Sequence, residues 1–163
     1  MSAAPDTELT LEMLHPDPMD QFTHWFQDAV ERSGLNDPNA MCLSTLSPEG
    51  VPEGRIVLLK GVDPRGFAFY TNLESAKGRA LAAHPVAALT FHWDRLARQV
   101  RVQGGVERVT DEEADAYYAS RPRGSRLGAW ASEQSRPLVD RATLEGRVQE
   151  MEGRYPGEEI PRP

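Results

Sequence analysis

The chain is poor in cysteine, in lysine and in long apolar runs. Its one cysteine, Cys42, cannot form an internal disulfide, and a protein without disulfides fits a reducing cytoplasm. Cys42 falls in an apolar strand pattern and reads as a small core residue rather than a reactive thiol. Four scattered histidines beside that one cysteine give no metal-ligand spacing, so no metal is expected. No apolar stretch approaches the roughly 20 residues of a membrane-spanning helix. The N-terminus also lacks the basic-then-apolar pattern of a secretion signal. A cytoplasmic location with no membrane partner is the expectation. An excess of base is missing too: a net charge of −7 argues against a nucleic-acid partner.

With 163 residues, one domain is the natural count, and a core can form without disulfides or metal. The charge is uneven. Residues 1–53 hold ten acids and one base, Arg32, whereas residues 54–101 hold three acids and eight bases. A basic middle in an acidic chain suits a small anionic ligand better than a polyanion. Of the 18 basic residues only Lys60 and Lys77 are lysine. Lys60 closes the stretch Arg55-Ile56-Val57-Leu58-Leu59-Lys60, which reads as a buried strand with a cation at each end. The planar fork of Arg55 and the compact ammonium of Lys60 point to an anion, most simply a phosphate, at the sheet end.

Residues 1–16 read as a loose, acidic N-terminal segment and 17–163 as a single domain. Asp17-Pro18 opens a helix as N-cap and first helical residue, with Met19, Phe22, Phe26, Ala29 and Val30 on one face and Gly34 at its end. Strands are expected over Ala40–Leu46, Arg55–Gly61 and Phe67–Thr71, joined by turns at 47–50 and 63–66 into a meander. Ser75 caps a short helix that reaches His84 and stops at Pro85. Two more strands follow, Val86–Trp93 and Gln99–Val109, the second with Val100, Val102 and Val106 inward and a bulge at Gly104-Gly105. Thr110-Asp111-Glu112-Glu113 is a capping box that starts a helix to Ser120. A basic loop, Arg121 to Arg126, precedes a short segment over Leu127–Ala131, and Asp140 caps a last helix towards Tyr155. The tail from Pro156 is expected to be extended. The fold class is α+β, mainly β: five antiparallel strands interrupted by helices suggest a small barrel or strongly bent sheet. Trp93, Trp130, His84 and His92 read as structural, and Arg95, Arg98 and Arg101 as a solvated face.

Taken in order, these segments resemble the pyridoxine/pyridoxamine 5′-phosphate oxidase family of flavoproteins. The likeness rests on Arg55 to Lys60, Phe69-Tyr70-Thr71-Asn72, Lys77-Gly78, Arg98-Gln99-Val100, Tyr117, Ser120-Arg121-Pro122, Gly128-Ala129-Trp130 and Gln134-Ser135, over roughly residues 17–163. The resemblance implies an FMN-binding split β-barrel with flanking helices and a homodimer with FMN at the subunit interface. It implies oxidation of pyridoxamine or pyridoxine 5′-phosphate to pyridoxal 5′-phosphate, with hydride passing to the flavin and O2 as final acceptor, yielding hydrogen peroxide. Cofactor contacts carried over are Arg55 and Lys77 to the FMN phosphate, the backbone of Ile56, Val57, Leu58 and Leu59 along the ring, Lys60, and Tyr70 and Thr71 on the phosphate side. Gln99, Gln134 and Ser135 would hydrogen-bond the flavin, the last two from the neighbouring subunit. Lys60, Tyr117, Arg121 and Ser125 would hold the substrate phosphate. On the residues alone, Tyr117 also fits a core position and Arg121 a surface arginine at a helix end.

The sequence departs from the family pattern twice. Ala76 stands where the family has an arginine before the lysine of the phosphate motif, which should weaken FMN binding unless Arg79, one turn along, reaches in. The family's Trp-Gln-Gly … Arg-x-His-Asp-Arg segment, which follows the proline-rich stretch, does not occur in this sequence. A sheet edge left open without that segment is expected to be covered by a dimer interface or by the tail. The alternative function is a non-catalytic split-barrel module binding FMN or pyridoxal phosphate. A third, an Arg-rich nucleic-acid binder, conflicts with the acidic balance.

Overall fold

Residues 9–163 are described by the structure, a computed structural model. Of the N-terminal segment expected to be loose, residues 1–8 lie outside the described residues, and Leu11–Met13 form one 3-10 turn. Two compact units make up the chain.

The first unit comprises residues up to Leu46, Gly50–Phe69 and Val86–Gly105. Helix α1 spans Pro18–Arg32; the Asp17 side chain accepts from the Met19 amide at 2.7 Å, and proline takes the first turn, as expected. Gly34, at φ +62°, turns the chain away beyond the helix end. Strands β1 (Ala40–Leu46), β2 (Pro52–Leu58), β5 (Val86–Trp93) and β6 (Arg98–Gly105) form an antiparallel sheet in the order β2-β1-β5-β6. Strands β3 (Gly61–Asp63) and β4 (Gly66–Ala68) form a separate hairpin. Its turn is set by Asp63, whose carboxylate accepts from the Arg65 amide at 2.8 Å, and by Gly66 at φ +136°.

One face of the large sheet packs on α1. Met41, Leu43, Leu89, Phe91 and Trp93 are buried there with Phe22 and Ala29 of the helix. The Phe22 ring meets Phe67 edge-on at 4.7 Å and Phe91 at 5.0 Å. Trp93 is buried with its indole N–H satisfied by the Pro38 carbonyl at 2.8 Å, so its burial leaves no orphan donor.

The structure departs from several of these expectations. The second strand is Pro52–Leu58, not Arg55–Gly61, and it alternates rather than lying buried: Ile56 is 66% and Leu58 38% exposed. As an edge strand it has a neighbour on one side only, and its period of two puts Arg55 and Val57 on the core side, opposite Leu43 and Met41. Beyond it the chain changes sheet: Leu59 N donates to Asn39 O at 2.9 Å and Lys60 N to Ala68 O at 2.8 Å. The strand expected over Phe67–Thr71 is shortened to Gly66–Ala68 and belongs to the hairpin, so the meander does not form. Strand β6 stops at Gly105, leaving Val106 outside it, and Gly104 and Gly105 pair in register with Ala87 and Val86 without a bulge. Val30 is 55% exposed, and the half-buried Trp25 takes its place on the helix face.

The second unit comprises Ser47–Glu49, Tyr70–Pro85 and Val106–Pro163. It holds α2 (Ala76–Ala83), α3 (Asp111–Ser120), α4 (Arg123–Ala131) and α5 (Arg141–Arg154). Ser75, Thr110 and Asp140 each cap the helix that follows, Thr110 in a full capping box with Glu113. The basic loop expected over Arg121–Arg126 is instead a two-residue link and the first turn of α4. Leu127 and Ala131, four apart on one face of this helix, pack with Tyr118, Met151 and Ile160. The tail, expected to be extended, is irregular with a bend at 157–158, and it is docked. Arg126 donates to the carbonyl of Glu158 at 2.7 Å and to its carboxylate at 3.0 Å, and Trp130 donates to Pro161 O at 2.8 Å. Arg162 returns to Asp111 and Asp115 of α3 at 2.7 and 2.6 Å. The α+β class stands.

Candidate functional site

The second unit carries the densest part of the expected site. The stretch Tyr70-Thr71-Asn72 leads into Ser75, whose hydroxyl donates to Asn72 O at 2.6 Å and accepts from the Gly78 amide at 3.2 Å. Asn72 closes a turn of its own, its side-chain oxygen accepting from the Glu74 amide at 2.7 Å. Thr71 and Ser75 place their hydroxyls 3.4 Å apart. The loop folds so tightly over the first turn of α2 that Gly78 has no room for a side chain. A Cβ there would run into the Leu73 carbonyl and come within 2.8 Å of Asn72 O. Lys77, half-buried, occupies this first turn. The leading N–H groups of a helix have no acceptor within the helix. A lysine beside them makes a donor set whose chemistry fits a phosphate.

Arg79 does not fill the place left by Ala76. Its guanidinium donates to the Glu74 carbonyl and the residue is exposed.

On the same unit, Tyr117 of α3 is not a core residue. Its neighbour Tyr118 is the buried one, 5% exposed, with its hydroxyl donating to Arg126 O at 2.7 Å. Burial raises the Tyr118 pKa above the ordinary phenol range, against the opposing charges of Arg121 and Arg126. Tyr117 instead lays its ring flat on Tyr70, with centroids 3.7 Å apart and planes 6° from parallel. A residue expected at the cofactor and one expected at the substrate are thus in direct contact. Arg121 sits at the end of α3, its guanidinium 5.8 Å from the Tyr118 ring centre. Ser125 is exposed one turn on, in α4. Gln134 and Ser135 are exposed beyond α4, Ser135 at φ +66°.

In the first unit, Arg55 is braced rather than open. It donates to Thr45 Oγ1 at 2.6 Å and to Leu43 O at 3.3 Å, and pairs with Glu53 at 2.8 Å. Thr45 and Glu53 are partners that the sequence reading missed, since only the β1–β2 register brings Thr45 beside Arg55. Lys60 is exposed at the point where the chain leaves the large sheet. Gln99 is exposed on β6, paired with His92 and on the face opposite Arg55. Strands β2 and β6 are the two edges of the sheet. Three strand spacings, about 14 Å, separate them, so the fold does not bring Arg55 and Gln99 together within this unit.

Arg98, expected on a solvated face, is corrected. It pairs with Asp28 at 2.7 Å and covers the Trp25 ring at 5.1 Å. It lines a groove of about 410 Å³ with His15, His24 and Asp28, which contains none of the expected site residues. Among the described residues no group of three or more His, Cys, Asp or Glu could hold a metal ion, and no helix is long and apolar enough to cross a membrane.

The sheet, the α2 cradle and the paired tyrosines belong to an α+β protein, and comparison with known proteins supplies its family. Residues 27–155 match the family model described as pyridoxamine 5′-phosphate oxidase. The pyridoxine/pyridoxamine 5′-phosphate oxidase of Azorhizobium caulinodans is 62% identical over 147 residues, covering 90% of this chain and 69% of the relative. That of Gloeothece citriformis is 53% identical over 157 residues, covering 96% and 73%. Among solved structures, PhzG from Burkholderia lata 383, crystallised with tetrahydrophenazine-1-carboxylic acid, superposes with a TM-score of 0.87 at 26% identity, covering 99% of this chain and 79% of that one. A pyridoxamine 5′-phosphate oxidase-related, FMN-binding protein from Nostoc punctiforme shares the fold at a TM-score of 0.61 and 18% identity, covering 89% and 73%. The chain belongs to the pyridoxamine 5′-phosphate oxidase family. The split-barrel expectation is borne out with it.

Proposed function

We propose that the protein is an FMN-dependent oxidase converting pyridoxamine or pyridoxine 5′-phosphate to pyridoxal 5′-phosphate, with O2 as electron acceptor. The observation that carries this is the cradle at α2, where a loop closes over a helix start with no space for a Cβ at Gly78 and Lys77 stands in the first turn. Family membership supports the same reading. In it, Lys77, Thr71, Tyr70 and Arg55 serve the FMN phosphate. The backbone of Ile56 to Leu59, with Lys60, Gln99, Gln134 and Ser135, serves the flavin ring. Lys60, Tyr117, Arg121 and Ser125 serve the substrate phosphate. Bound FMN would supply the redox chemistry, accepting a hydride from the substrate and passing its electrons to O2 to give hydrogen peroxide. The chain's own residues anchor and orient two phosphates.

A cytoplasmic homodimer with FMN at the subunit interface belongs to this reading. The sheet face away from α1 supports the dimer: Ile56, Leu58 and Val86 are 66%, 38% and 51% exposed on it, an apolar surface suited to burial against a second copy.

Purified protein given FMN and freed of excess should be yellow and should release peroxide on addition of pyridoxine 5′-phosphate, but not of unphosphorylated pyridoxine. A colourless protein would sink the proposal. A yellow one that yields no peroxide would leave a non-catalytic module for FMN or pyridoxal phosphate in its place.

A further inference from the structure

Tyr70 and Tyr117 come from segments 47 positions apart in sequence, yet their rings lie face to face at 3.7 Å and 6°. Aromatic pairs ordinarily hold their centroids about 4.5–7 Å apart, offset or edge-on. Rings this close and parallel cannot shift independently. Each is also attached to a braced segment. Tyr70 precedes the loop tied by Ser75 to Asn72 and Gly78. Tyr117 adjoins Tyr118, whose buried hydroxyl ties α3 to α4 at Arg126.

On the functional reading above, the first segment holds the FMN phosphate and the second the substrate phosphate. From the stack we infer that the two sites are energetically coupled through these rings. A phosphate held on the α2 turn restrains Tyr70, which presets Tyr117, so the second ligand meets a side chain already ordered. Tyr70 is then a positioning residue for the substrate as well as a cofactor contact. Linkage requires the effect to be mutual: each ligand raises the other's affinity by one common factor. A ring pair contributes about two- to tenfold, which sets the size of the factor passed through the stack.

The test uses FMN and pyridoxal 5′-phosphate, the product, which does not turn over. FMN is titrated into apoprotein by flavin fluorescence with and without saturating pyridoxal 5′-phosphate. Pyridoxal 5′-phosphate is titrated by absorbance into apo- and holoprotein. Each Kd should fall by the same two- to tenfold factor in the presence of the other ligand. Tyr70→Leu should bring that factor to one, whereas Tyr70→Phe, which keeps a ring, should preserve it. If Tyr70→Leu does not fold, Tyr117→Leu against Tyr117→Phe makes the same comparison from the other ring. A factor of one or less in the wild type with both ligands bound overturns the inference and leaves the oxidase reading intact. So does a factor that survives loss of the ring. Failure of the wild type to bind FMN at all overturns both.

Discussion

Alanine in place of Gly78 should be destabilising, although alanine is the better helix former. Gly78 is the third residue of α2, and helix propensity favours alanine there by up to about 1 kcal/mol. Against that, the added methyl would collide with the Leu73 carbonyl and lie 2.8 Å from Asn72 O. Both obstacles are backbone, so no side chain can swing aside. Overpacking of this kind costs about 1–3 kcal/mol. Moving the loop also breaks the Ser75 hydroxyl's bonds to Asn72 O and Gly78 N, a cap worth about 1 kcal/mol. The balance is a net loss of about 2 kcal/mol. Urea denaturation of Gly78→Ala measures it, with Gly146→Ala as the control. Gly146 lies inside α5 with nothing within 4 Å of its Cβ position, so the same substitution there should stabilise by about 0.5–1 kcal/mol. Gly78→Ala should also weaken FMN binding, since the displaced loop carries Tyr70 and Thr71. Equal or greater stability for Gly78→Ala than for the wild type would refute the cradle geometry.

Ala76→Arg restores a cation to the first turn of α2 and should tighten FMN binding by about ten- to a hundredfold in a fluorescence titration; unchanged or weaker binding would count against a phosphate there. Arg126→Ala should destabilise by about 2 kcal/mol in chemical denaturation, because Arg126 is buried and holds the tail through a backbone carbonyl as well as a carboxylate. Glu158→Ala should cost under about 1 kcal/mol, since the Glu158 side chain is 79% exposed and the carbonyl contact survives; equal losses would contradict this division. The hydroxyl of Thr143, then its amide, hold the Asp140 carboxyl below the usual carboxylate range. Asp140's contribution is therefore full above about pH 4 and is lost as pH falls through its depressed native pKa. Asp140→Ala should lower Tm clearly at neutral pH and much less in strong acid; a pH-independent difference would remove the carboxylate from the explanation.

Much of this protein could be read from neighbouring residues alone. Asp17, Ser75, Thr110 and Asp140 start helices where the sequence reading put them, because a cap acts within three positions of itself. Strands β1 and β5 fall on the residues expected, being apolar runs bounded by turn formers or proline. The family was legible because its motifs keep their order and spacing. Four consecutive apolar residues, Ile56 to Leu59, carry no period, so only pairing with β1 could turn Val57 inward and leave Ile56 and Leu58 facing out. The string Arg-Pro-Arg-Gly-Ser-Arg has the composition of a loop, and burial of Leu127 and Ala131 against distant Met151 and Ile160 was needed to wind it into α4. Arg98 found Asp28, and Tyr117 found Tyr70, across 70 and 47 positions. Contacts at such range depend on how whole elements pack, and short-range propensity holds no record of that.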